Sequence, residues 1–62
     1  MKLRVSTCVG TPEGVLETNR LPLHDYTPEQ IGVEIGRQLK EALATHDKLQ
    51  SFVVVIMANT SE

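Results

Sequence analysis

Two histidine–aspartate pairs, His24-Asp25 and His46-Asp47, are the residues best equipped to hold a metal or move a proton. Adjacent His-Asp pairs supply metal ligands in some hydrolases. Here the pairs flank a helix of roughly 18 residues, which at ~1.5 Å per residue sets them ~27 Å apart. One chain therefore does not unite them. Asp25 reads instead as a turn residue before the helix, and His46 as a residue favoured at the helix C-terminus. Cys8 is the lone thiol. A nucleophilic cysteine needs a base or a positive field to lower its pKa, and the nearest cation in the pattern is Arg4, two positions along the same face. The expected role of Cys8 is a small residue partly covered by a partner.

The remaining group with recognisable chemistry is cationic. Lys2 and Arg4 share one face of a strand, and Arg20 stands on a neighbouring one. Together with the loop residues His24 and Tyr26, Arg4 and Arg20 form the candidate site for a phosphate or carboxylate. Four glycines, Gly10, Gly14, Gly32 and Gly36, match neither the dinucleotide fingerprint nor the lysine-containing phosphate loop. Gly32-x-x-x-Gly36 reads as a place where a helix comes close to the sheet or to a second helix. No cofactor and no metal are expected.

These residues are positioned by a short chain. Sixty-two residues are expected to form one domain, spanning 1–62. Such a domain buries only ~60% of the surface its unfolded chain exposes, so it needs help from disulfides, a metal or oligomerisation. One cysteine and two histidines leave oligomerisation. With one Phe, one Tyr and no Trp, the core is aliphatic. The net charge of −2, with both signs interspersed, carries no polyanion footprint, which argues against nucleic acid. No stretch reaches the ~18 apolar residues of a membrane span. The N-terminus has no apolar run of a signal peptide, and with a free cysteine this leads to the expectation of a cytoplasmic protein.

Residues 2–9, KLRVSTCV, alternate: Leu3, Val5, Thr7 and Val9 on one face, Lys2, Arg4, Ser6 and Cys8 on the other. That is a half-buried strand. The turn GTPEG follows at 10–14, with Pro12 suited to a turn and Gly14 to positive φ. A weaker strand at 15–20 completes a hairpin. Thr27-Pro28-Glu29-Gln30 is a capping box with proline in the first helical position, and the helix is expected from 28 to 45. Ile31, Ile35, Leu39, Ala42 and Leu43 fall within a ~120° arc, so the helix is amphipathic and lies on a sheet. A last strand, 51–58, carries the run FVVVIMA, apolar on both faces.

The expected fold is therefore α+β, β-β-α-β, with one helix on one face of a three-stranded sheet. Strand order 2-1-3, all antiparallel, is preferred over 1-2-3 with a right-handed crossover. Either order leaves the third strand at an edge and one sheet face bare. Long apolar edges are an aggregation hazard that native proteins avoid. Phe52, Val53, Val54, Val55, Ile56 and Met57 are thus the expected oligomer interface, in a homodimer or a multiple of one. The length and the use of small β-α-β units are similar to those of tautomerases of the 4-oxalocrotonate type. Their base is a proline exposed by removal of Met, whereas Lys2 follows Met1 here and a hairpin precedes the helix, so that family is set aside. The functional expectation is a small non-enzymatic interaction module: a regulator, inhibitor or adaptor. The alternatives are an oligomer that binds a small anion or nucleotide between subunits, and an enzyme using Cys8 or the histidines.

Overall fold

The computed structural model describes residues 1–59. Four elements follow one another: β1 (Lys2–Thr11), β2 (Gly14–Arg20), α1 (Pro28–Thr45) and β3 (Ser51–Asn59). The sheet order is β2-β1-β3, and both pairings are antiparallel. This is the α+β arrangement with the second-strand hairpin on one side and the apolar strand on the other.

The hairpin turns on two residues, Pro12 and Glu13. Pro12 holds a fixed φ. Gly14 then takes φ +137°, which side chains with a Cβ rarely adopt. The Thr11 hydroxyl accepts from the Glu13 amide at 3.3 Å and so closes the turn. At Gly10 a Cβ would meet the Ser51 hydroxyl, where β1 and β3 come together, a contact that rotation of the serine side chain relieves.

The helix begins as its sequence dictates. Thr27 accepts from the Gln30 amide at 3.1 Å, and the Gln30 side chain accepts from the Thr27 amide at 2.9 Å. It ends at His46, whose amide donates to the Ala42 carbonyl. The chain between β2 and the helix does not cross the bare sheet face. It runs on beside β1: Leu21 donates to the Val5 carbonyl, and Leu3 and His24 exchange both backbone bonds. The Tyr26 hydroxyl donates to the Pro22 carbonyl at 2.7 Å and ties this segment to itself.

The core is thin. Val5, Thr7 and Val9 of β1 are fully buried, and Ile31, Gln38 and Ala42 of the helix are buried with them. Thr7 satisfies its hydroxyl against that of Thr18 at 2.9 Å, and Gln38 donates to Glu34 at 3.0 Å. The radius of gyration is 12.7 Å, against about 10.6 Å for a compact chain of this length. The molecule is a slab 41 × 20 × 13 Å, with its apolar interior concentrated along one strand.

Candidate interaction surface

Register decides which way each side chain of β3 points. Residues directly opposite in an antiparallel pair share a face. Val5 lies opposite Ile56, Thr7 opposite Val54 and Val9 opposite Phe52. Phe52, Val54, Ile56 and Ala58 therefore belong to the helix side. Val53, Val55 and Met57 lie opposite Cys8, Ser6 and Arg4, on the bare side.

The helix covers β3 poorly, because it sits over β1 and leans toward β2. Glu34 accepts from Asn19 of β2 at 2.7 Å, and Gln38, Glu41, Ala42, Thr45 and His46 line a hollow with Thr18. At 100° per residue, Glu34 and Glu41 flank the buried line of Ile31, Gln38 and Ala42 on the β2 side. Leu39 and Leu43 flank it on the other side, facing β3. Both leucines are exposed, Leu43 by 61%, and Ile56 on the floor beneath that flank is 48% exposed. The expected apolar arc thus divides into a buried half and a bare half. Gly32 and Gly36 do not bring the helix closer to the sheet, since a Cβ at either would meet nothing within 4 Å.

On the opposite face Val53, Val55 and Met57 are 49%, 46% and 59% exposed. β3 consequently carries exposed apolar side chains on both sides, and among the described residues no strand pairs with its outer edge from Phe52 to Ala58. Among the described residues four apolar residues are buried, whereas ten large ones are exposed, six of them on β3 or on the helix flank beside it. Those six expose on the order of 500 Å² together, divided between the two faces of the sheet. The whole chain exposes 4532 Å², against about 4000 Å² for a folded monomer of its mass.

The electrostatic features lie at the other edge. Arg37 bridges Glu34 at 2.7 Å and Glu41 at 2.9 Å. Partial burial pushes the Glu34 pKa up, yet hydrogen bonds from Gln38, Arg37 and Asn19 and the Arg37 charge outweigh that, so it lies below the ordinary glutamate value. Arg20 pairs with Glu17 at 3.2 Å. Three residues apart on a regular strand, these two would face opposite ways. The extra residue Thr18 bulges β2, so that Glu17 falls opposite Cys8 and Arg20 opposite Ser6, on one face.

The residues of the anion patch divide accordingly. Arg4 and Arg20 lie on the bare face, with Arg20 engaged by Glu17. His24 lies opposite Leu3, a residue of the helix-side face, and its ring meets Tyr26 at 5.3 Å between centroids. Cys8 is half-buried beside Val53. His46 lines two open hollows of about 170 and 210 Å³, both below the ~300 Å³ at which small-molecule sites begin. Among the described residues no three His, Cys, Asp or Glu side chains gather as a metal ion requires, and no helix is long and apolar enough to cross a membrane. Compared with known proteins, the chain matches no family model, no curated protein and no solved structure.

Proposed function

We propose that this protein is a small non-enzymatic interaction module that works as a homo-oligomer, in the manner of a regulator, inhibitor or adaptor. The observation that supports it most directly is β3: nine residues without a charge, with exposed apolar side chains on both faces and, from Phe52 to Ala58, an edge that no described strand pairs with. A domain with so thin a core gains stability from covering that strand. The chemically capable residues support the same reading by their dispersal. Cys8, His24 and His46 lie on the bare face, beside the helix entry and at the helix exit.

Sedimentation equilibrium over a wide range of protein concentration tests this reading. A dimer or a multiple of one is expected at micromolar concentration. A folded monomer of 6.9 kDa throughout that range overturns it. Slow thiol labelling of Cys8 at neutral pH, and no thermal shift with a panel of nucleotides and organic anions, would separate it from the enzyme and small-ligand alternatives.

A further inference from the structure

We infer that β3 pairs with β3 of a second copy in one specific register, making a continuous six-stranded sheet with both helices on the same side. The inference rests on the homo-oligomer reading and deepens it. The backbone bonds select the register. On β1, Leu3 and Val5 send their bonds toward the β2 side, and Gly10 sends its carbonyl toward β3. Backbone groups alternate along a strand, so the even residues of β1 face β3. Their partners on β3 are Val53, Val55 and Met57. Phe52, Val54, Ile56 and Ala58 therefore direct their amides and carbonyls outward, along the open edge.

Only registers that set even residues against even ones close those outward bonds. Each of them keeps the two helices on one face. Full overlap of Ser51–Asn59 places Val55 on the twofold axis, opposite its own copy. Val54 then pairs with Ile56, Phe52 with Ala58 and Val53 with Met57. A second copy suits this edge better than a charged partner, because β3 offers no charge to read and sets no like charges against each other. Pairing in this way covers Leu39, Leu43 and Ile56 of each copy together with the backbone of the edge, while Val53, Val55 and Met57 gain only lateral contacts with their counterparts.

The helices do not touch through their glycines in this assembly. Each lies over its own β1, so three strand spacings, about 14 Å, separate the two axes. Direct helix packing needs about 8–10 Å. The trough between them is filled by Leu39 and Leu43 of both copies, above Val54 and Ile56.

The axis position makes the test specific. Val55 and its copy form a pair without mutual backbone bonds, whose Cα atoms stand about 4.5 Å apart, within reach of a disulfide. In a Cys8→Ser background, Val55→Cys is expected to convert most of the chain to a covalent dimer on oxidation, whereas Val53→Cys and Val54→Cys do not. A mixture of Val55→Lys and Val55→Glu is expected to form a heterodimer in preference to either homodimer, which guards against a cysteine variant that fails to fold. Sedimentation of the unmodified chain separates the two levels of failure. A monomer overturns the homo-oligomer reading itself. A stable dimer that crosslinks at Val53 rather than Val55, or not at all, overturns this register alone.

Discussion

Replacing Ile56 by alanine probes the helix side of the edge strand without adding charge. Ile56 lies opposite the buried Val5 and is itself 48% exposed. Full burial of such a side chain is worth about 1.5–3 kcal/mol. Roughly half of that is already gained within the chain, and truncation removes it from folding stability. The other half, about 0.7–1.4 kcal/mol per copy, is gained only when a second chain closes the trough. Two copies lose about 1.5–3 kcal/mol of association energy, so Kd should rise about 10- to 150-fold. Sedimentation equilibrium measures it directly, and urea midpoints at several protein concentrations check it independently. Val5→Ala is the contrast. Its side chain is 1% exposed, so truncation should cost on the order of 2 kcal/mol in folding with a much smaller change in Kd of the folded chain. Equal effects of the two variants on Kd, or none from Ile56→Ala, would refute the assignment of Ile56 to a shared trough.

Gly36→Ala should stabilise the helix by about 0.5–1 kcal/mol, because the position is helical and open; differential scanning calorimetry would show a rise in Tm, and a weakened dimer would instead mean that the helices meet at this residue. Gly14→Ala should destabilise by more than about 1 kcal/mol, since the turn holds φ at +137°, and a urea midpoint equal to the parent would contradict it. Thr27→Ala removes one half of the capping box and should cost about 1 kcal/mol by the same assay. Glu34 has its pKa lowered by its partners in the folded state, so its contribution is complete above the unfolded glutamate value of about 4.3 and disappears as pH falls through the folded value. Glu34→Gln should therefore narrow the stability difference between pH 6 and pH 3, and an unchanged difference would exclude this role.

Several features of the fold could be read directly from residue types. Thr27-Pro28-Glu29-Gln30 forms the capping box its spacing implies, and the alternation of β1 places Leu3, Val5, Thr7 and Val9 on one face, of which Val5, Thr7 and Val9 are buried. The central place of β1 followed from that pattern, set against the more polar β2. The face of β3 could not be read in the same way. Alternation is informative only through contrast, and FVVVIMA has none, so only register with β1 distinguishes its two sides. The helix was legible as an apolar arc, but not the point where the arc meets the sheet. Gln38 occupies a buried position there, satisfied by Glu34, and displaces the contact toward Ile31 and away from Leu39 and Leu43. The Glu17–Arg20 pair depends on a bulge at Thr18 that no spacing rule announces. Its only sequence trace is a threonine placed to reach a second threonine across the ladder.

The two pairings of β1 differ greatly in how far apart in the chain their partners lie. The hairpin with β2 joins Thr11 to Gly14 at its turn and Ser6 to Arg20 at its far end, 3 to 14 residues apart. The pairing with β3 joins Gly10 to Ser51 and Lys2 to Asn59, 41 to 57 residues apart. Closing the longer loop costs more chain entropy before any contact compensates for it. The expected order of refolding is therefore that the hairpin forms first, on the microsecond scale of such units, the capped helix gathers over it, and β3 docks last. During that interval the second edge of β1 is vacant while the most apolar segment of the chain is unpaired. The fate of a folding molecule is decided there, by whether its own β3 arrives before another chain does, which makes dilution the natural remedy for any loss on refolding.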